Sequence, residues 1–326
     1  MKKTIFGAFL IFISLVTACS SRATTQDDNL ANRTAANSQE TNREIKPDDK
    51  QSSGELQKQI EQIATAAKGR VGVGATILET GETVSLLPGE RFPMQSVYKV
   101  PIGMAVMKEI DAGQLKLDQK IRVEKSEFVR QGMHSPLRDK NPNGAADASV
   151  EELLRLSVSE SDGTASDVLF RLAGGAEAIG KFLSESGVAE VVVADPEKVI
   201  GRDWETQYRN WASPNGAISL LRALHERRGL SESSRALLLK LLTEATTGPR
   251  RLKGLLPKGT VVAHKTGTSG TRNGITAATN DIGIINLPNG RHLAIAVFVS
   301  DAAADEATRE RVIAEIAKAV WDKWSK

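Results

Sequence analysis

The chain has 326 residues, 40% of them hydrophobic, and a formal net charge of +3. That is enough apolar material for a substantial core in one or two domains. The charge excess is small and forms no basic stripe interleaved with aromatics, which excludes an obvious nucleic-acid surface. Cys19 is the only cysteine, so no intrachain disulfide or thiol nucleophile is available beyond it.

The chain opens with "MKKTIFGAFLIFISLVTAC": two lysines, then an apolar run short for a membrane span, then small residues up to Cys19. Val16-Thr17-Ala18-Cys19 resembles the lipobox of bacterial lipoproteins. The resemblance implies a signal peptide over 1–18, cleavage before Cys19, and acylation of Cys19 as a membrane anchor. A simple export signal cleaved near Ala18 is the alternative. Residues 19–54 carry almost no large apolar side chains and read as a flexible tether for an exported, periplasmic domain.

From residue 55 the pattern becomes that of a folded domain. "ELQKQIEQIATAAKG" places Leu56, Ile60, Ile63 and Ala67 on one helical face, with Gly69 as a stop. "VGVGATILE" and "ETVSLLP" read as two strands joined through Thr80 and Gly81. An apolar helix follows, starting near Ser96 and running to Gly113. Residues 149–247 are mostly helical in pattern. The strands "GTVVAHKTG", "TAATNDIGIINLP" and "RHLAIAVFVSD" come next, the last two joined by a tight turn at Asn289-Gly290. A final helix spans roughly Ala304 to Trp324. Strands at both ends of the domain predict one antiparallel sheet carrying the terminal helices, with the helical middle as a separate inserted layer. The Ser96 helix falls at the seam.

Four short elements carry chemistry. Ser96 and Lys99 stand three apart, so a helix stacks hydroxyl and amine on one side. A helix-capping serine followed by a surface lysine gives the same spacing. A buried lysine, however, has its pKa depressed and can take a proton from a neighbouring hydroxyl. Ser161-Asp162-Gly163 lies between two helical stretches and alone is an ordinary turn. Glu197 sits in "ADPEKVIGRDW", a segment without clear periodicity. Lys265-Thr266-Gly267-Thr268 ends a strand, where a lysine and hydroxyls suit a carboxylate.

Together these resemble the class A serine β-lactamases over residues 55–326. "SVSESD", "DWETQYRNWASP", "TTGPRRLKGLLP", "VAHKTGTSG" and "AATNDIGII" look especially like the extended-spectrum branch that includes the VEB and PER enzymes. The resemblance implies the α+β fold shared with D,D-peptidases, with a five-stranded antiparallel sheet and the active site at the seam. It implies Ser96 as nucleophile and Lys99 or Glu197 as the acylation base. Glu197 would activate the deacylating water, and Ser161 would pass a proton to the departing nitrogen. The N–H groups of Ser96 and Thr268 would form an oxyanion hole, each donor worth about 3 to 4 kcal/mol in comparable sites. Lys265, Thr266, Gly267 and Thr268 would bind substrate, with Arg251 rather than Arg272 holding the carboxylate. The implied substrates are penicillins and cephalosporins, oxyimino-cephalosporins among them. No cofactor or nucleic acid is expected, and the domain is expected to act as a monomer.

Three departures from the family pattern stand out. Gly163 and Gly201 replace asparagines, and Asp195 and Asn210 stand where an Arg–Asp pair commonly closes the glutamate loop. That loop is expected to be held another way, through Asp167. A penicillin-binding D,D-peptidase and a non-catalytic binding protein of the same fold are the rival readings; Glu197 argues against the first, and Gly163 is the support for the second. His134, His225, His264 and His292 lie far apart in the sequence with no short-spaced pair, so no metal site is expected. His264 reads as a packing neighbour of Lys265. Trp204, Trp211, Trp321 and Trp324 read as core and helix-packing residues.

Overall fold

The computed structural model describes residues 47–326. Cys19, the signal-peptide assignment and most of the expected tether lie outside the described residues. The first helix spans Pro47–Ala64, so it begins inside the stretch read as tether. Proline suits that first position, because the N–H it lacks has no partner in a helix's first turn.

Five strands form the main sheet in the spatial order Thr83–Leu86, Arg70–Ile77, His292–Ala302, Ile275–Asn286, Val262–Thr268, all antiparallel. A two-residue strand, Thr271–Arg272, folds back on Ile275 and Thr276. "TSGTRNGIT" is therefore a small hairpin, with Asn273 and Gly274 both at positive φ at its tip.

Strand alternation splits the interior into two cores. Val71, Val73, Ala75, Ile77, Leu293, Ile295, Val297 and Val299 face the terminal helices. There they meet Leu56 and Ile60 of the first helix and Ile313, Ile316, Val320, Trp321 and Trp324 of the last, Glu306–Trp324. Ala294, Ala296 and Phe298 point to the other side, into the helical layer. Along Arg70–Ile77 that second side is Gly72 and Gly74. The absent side chains let helix Pro214–His225 approach the sheet: a β-carbon on Gly74 would lie 2.8 Å from Ile218 Cγ1 and 3.0 Å from the Pro214 carbonyl. "VGVGA" thus encodes both a strand and the close seat of a helix.

The apolar helix Lys99–Asp111 lies at the centre of the helical layer, with Val100, Ile102, Met104, Val106 and Met107 buried. Helices Val150–Val158 and Gly163–Leu172 pack against it, each capped by its preceding residue, Ser149 and Asp162. Trp321 and Trp324 are buried as expected, whereas Trp204 lines the cleft between the layers and the Arg91 guanidinium stacks over Trp211. His264 is buried against Asp281, its Nδ1 2.9 Å from the carboxylate. His225 and His292, distant in sequence, stand ring to ring at 4.6 Å.

Gly74→Val is expected to lower folding stability by about 1–3 kcal/mol, because the added branch meets backbone and a fixed side chain. Urea denaturation against the parent measures it; an unchanged midpoint would mean that the helix has room to retreat.

Candidate active site

Ser96 sits in a 3₁₀ turn, Gln95–Tyr98, that runs directly into helix Lys99–Asp111. Three neighbours clamp the turn. The Met94 N–H donates to the Asn210 carbonyl at 2.9 Å. The Asn280 amide donates to the Pro93 and Met94 carbonyls at 2.8 and 3.2 Å. Gly267 lies so near the Met94 carbonyl that any side chain there would overlap it. Gln95 is held at φ +48°, a left-handed conformation that costs a residue with a side chain roughly 1–3 kcal/mol. Its amide reaches across to Gln207 Oε1 at 2.8 Å. Strain thus sits one residue before Ser96, which faces a cavity of about 810 Å³.

The same cavity is walled by Ser161, Glu197, Thr266, Thr268 and Arg251. Lys99 is 1% exposed. Its ammonium donates to the Ser161 carbonyl at 2.8 Å and stands 3.4 Å from Glu197 Oε2 and 3.5 Å from Ser161 Oγ. Lys265, fully buried on the Val262–Thr268 strand, donates to Ser161 Oγ at 2.9 Å. Ser161 itself is at φ +62°, which directs its hydroxyl and its carbonyl to two different lysines. Asp162 caps helix Gly163–Leu172 through the Ala165 N–H and accepts from Ser135 and the Leu137 N–H, fixing the turn.

Glu197 opens the short helix Glu197–Ile200. Both oxygens of Asp167 receive that helix start, from the Glu197 N–H at 2.5 Å and the Lys198 N–H at 3.0 Å. The fully buried Tyr98 donates its hydroxyl to Glu197 Oε2. Burial pushes the Glu197 carboxyl upward, but the Lys99 ammonium and the Tyr98 hydroxyl outweigh it and hold the group below the usual carboxylate range. Burial pushes Lys265 well below the ordinary lysine value, and the Lys99 charge adds to the effect. Tyr98 is driven well above its ordinary value by burial and the Glu197 charge, so it remains a donor. Asp167 is raised to about 7, first by burial and then by the Glu197 charge, against the two N–H groups it accepts.

At the far end of the cavity Arg251 is buried. Its Nη2 donates to Thr268 Oγ1 at 2.8 Å, its Nη1 to the Gly267 and Asn280 carbonyls, and Glu310 pairs with its Nε at 3.2 Å. Arg272 also borders the cavity but from the exposed hairpin. Thr247 and Thr266 share a hydroxyl hydrogen bond at 2.6 Å.

The departures from the family pattern acquire physical reasons. A β-carbon on Gly163 would lie 2.9 Å from Glu197 Cγ and 3.2 Å from the His134 carbonyl, so the glutamate occupies the room an asparagine needs. At Gly201 the Met133 thioether fills the corresponding space. Asp167 holds the glutamate segment as expected. Asn210 anchors the segment's start, accepting the Ala194 and Asp195 N–H groups and donating to the Asp195 carbonyl. The expectation of a loop without an arginine bridge is corrected: Asp195 does pair with an arginine, the adjacent Arg209 at 3.1 Å. Sequence reading passed over Tyr98, Gln95 and Glu310. Tyr98 lies inside Ser96-Val97-Tyr98-Lys99, yet nothing in four letters says which way its hydroxyl turns.

A hydroxyl presented from a strained turn, near a buried ammonium and an ionised carboxylate, is equipped to open a carbonyl and then discharge the resulting ester. That is the chemistry of the serine hydrolases. The profile of the β-lactamase enzyme family matches residues 55–324. The chain is 44% identical over 266 residues to the extended-spectrum β-lactamase PER-1 of Pseudomonas aeruginosa, covering 82% of this chain and 86% of that one. It is 40% identical to the β-lactamase VEB-1 of the same organism, over 81% of this chain and 88% of that one. A β-lactamase structure from Chitinophaga pinensis superposes with a TM-score of 0.80 at 45% identity, covering 82% of this chain and 98% of the other. The TLA-1 extended-spectrum β-lactamase gives 0.81 at 43% identity, over 84% and 100%. The chain belongs to the β-lactamase enzyme family, in class A and close to the PER and VEB branch.

Two outcomes follow from this geometry. Asp167 has its folded pKa raised, so between roughly pH 4 and 7 the folded state holds a proton that the unfolded state has lost. Its contribution to stability therefore falls as pH rises across that window, by up to about 4 kcal/mol, and is constant above it. Relative to Asp167→Asn, the wild-type melting temperature should decline from pH 4 to 7.5; parallel curves would refute the assignment. Gly163→Asn, which restores the family residue, should lower deacylation by about tenfold or more rather than improve it, because the new side chain displaces Glu197. Pre-steady-state kinetics with a chromogenic cephalosporin would reveal a slowed second step.

Proposed function

We propose that the domain hydrolyses the β-lactam amide of penicillins and cephalosporins through an ester on Ser96, and so confers resistance to these drugs. Ser96 Oγ attacks the ring carbonyl and its proton passes to a base, either Lys99 or Glu197 acting through water. The carbonyl oxygen becomes anionic and is met by the N–H groups of Ser96 and Thr268. The C–N bond then breaks, and the ring nitrogen receives a proton from Ser161, whose hydroxyl is resupplied by its lysine neighbours. Glu197 next takes a proton from water, which attacks the ester carbonyl and frees Ser96. Lys265, Thr266, Thr268 and Arg251 hold the substrate carboxylate. Lys265, its pKa lowered by burial and by the Lys99 charge, gains a proton more readily once that anion arrives.

The carrying observation is the 3.4 Å contact between Glu197 and the buried Lys99 in the cavity that Ser96 faces. A carboxylate kept ionised on the cavity that Ser96 faces supports hydrolysis of a β-lactam-derived ester, and a D,D-peptidase lacks that glutamate. Gly163 removes a hydrogen bond to the substrate's acylamino chain, worth about 1–3 kcal/mol, which impairs but does not abolish turnover. Met133, Gly201 and Trp204 line the cavity of about 810 Å³, whose size supports acceptance of bulky oxyimino groups. On the motif at Cys19, the mature domain is an exported, monomeric lipoprotein held at a membrane in the periplasm by its acylated N-terminus.

Purified domain should turn over penicillins and cephalosporins in steady-state assays, and Ser96→Ala should abolish this. Glu197→Ala should accumulate a covalent adduct on Ser96, visible by mass spectrometry, with turnover reduced about a thousandfold or more. An adduct equally long-lived in the wild type would favour the peptidase. Activity on penicillins alone would refute the cephalosporin assignment.

A further inference from the structure

At the end of the sheet remote from Ser96, three side chains converge from separate parts of the chain. Glu79 lies in the turn after strand Arg70–Ile77, His292 opens strand His292–Ala302, and His225 ends helix Pro214–His225. The backbone fixes their approach. Ile77 pairs with Leu293, the Leu78 N–H donates to the His292 carbonyl at 2.9 Å, and Arg222 reaches from the helix to the Leu78 carbonyl at 3.1 Å. Glu79 accepts the His292 N–H on Oε2 at 2.9 Å and contacts His292 Nδ1 through Oε1 at 2.6 Å. The two imidazole rings stand 4.6 Å apart at 51°.

We propose that Glu79, His225 and His292 form a binding site for a divalent transition-metal ion of the zinc type. One donor atom from each residue lies within 4.8 Å of the others, and among the described residues this is the only such group of three. Tetrahedral zinc, with ligands at about 2.0–2.2 Å, sets its donors about 3.3 Å apart. The widest donor separation exceeds that spacing by about 1.5 Å and the Glu79–His292 contact is shorter than it, differences of the size that side-chain rotation covers. Two imidazoles and one carboxylate select Zn(II), Co(II), Ni(II) or Cu(II) over Mg(II) and Ca(II), which require oxygen-rich shells. The Glu79 and His292 side chains are 38% and 34% exposed, so the ion enters directly from solvent and keeps water at its fourth position.

The role is structural. The ion ties the C-terminal end of helix Pro214–His225 to the β-turn and strand on which it rests. That is the same helix whose opposite end sits over Gly74. Without metal, Glu79 still contacts His292 and the His225 ring lies tilted beside it, so the fold does not depend on occupancy.

Titration of the metal-free full chain with zinc chloride by calorimetry tests the site. The wild type should bind one more equivalent than His225→Gln or His292→Asn, or should bind it about 10- to 100-fold more tightly. At a hundredfold excess of zinc over Kd, its melting temperature should rise by about 5 °C more than that of either variant. Cys19, His134 and His264 are unchanged in both variants, so zinc held there cancels in the comparison. Should a variant fail to fold, the wild-type Co(II) spectrum decides: intense four-coordinate visible bands without a thiolate charge-transfer band are expected. Zinc binding identical in wild type and variants, or a Co(II) spectrum matching the free aquo ion or carrying the thiolate band, would overturn the proposal.

Discussion

The centre of the molecule depends on burying Lys99 and Lys265 beside a single carboxylate. Each ammonium taken from water costs several kcal/mol unless it is paired and hydrogen-bonded. Here the compensation is shared: Glu197 faces Lys99, the Ser161 carbonyl receives it, and the Ser161 hydroxyl receives Lys265. The left-handed backbone at Ser161 lets one residue serve both cations. Remove the carboxylate and Lys99 loses its charged partner, in surroundings that already push the neighbouring Lys265 toward its neutral form. The cluster therefore constrains the fold around it as much as the fold positions the cluster.

Rigid attachments on every side keep that arrangement in place. The Ser96 turn is tied to Asn210 and Asn280, two residues from different layers, so it cannot relax Gln95 without breaking hydrogen bonds. Arg251 is buried against Glu310 of the last helix, and His264 against Asp281 under the Lys265 strand. The first pair sets a buried guanidinium at the cavity wall, and the second braces the back of the strand that lines the cavity. Both cores contribute. The sheet-side core carries the Val262–Thr268 strand, and the helical core carries the Lys99 helix, so the cleft is as stable as the contact between the layers.

Much of this was legible in the letters. The short apolar runs "VGVGATI" and "LAIAVFV", rich in β-branched residues and bounded by turn residues, read as strands, while the faces they present to the two cores emerge only in the fold. Ser96, Lys99, Ser161, Glu197 and Lys265 were singled out by order and spacing and Arg251 by resemblance to the family, and the fold gathers them in or beside one cavity. What escaped depends on three-dimensional proximity. Gly163 read as a lost hydrogen bond, while in space it is the room that Glu197 occupies. Asp195 read as unbridged, since its partner Arg209 is not at the position where the pattern seeks one. His225 and His292 read as unrelated because a strand and a helix meet only after folding. The two-residue strands Phe92–Pro93 and Val191–Val192 are too short to leave any periodicity.

The Tyr98 contact bears on the direction from which water must come. Both the phenol and the Lys99 ammonium address Oε2 of Glu197. The two oxygens of one carboxylate are thereby made unequal: Oε2 is saturated by fixed donors, and its lone pairs are drawn toward them. Oε1 is left as the basic terminus. Under the proposed mechanism the water would then be deprotonated at Oε1, and a phenylalanine in place of Tyr98 would leave Lys99 as the one remaining donor to Oε2.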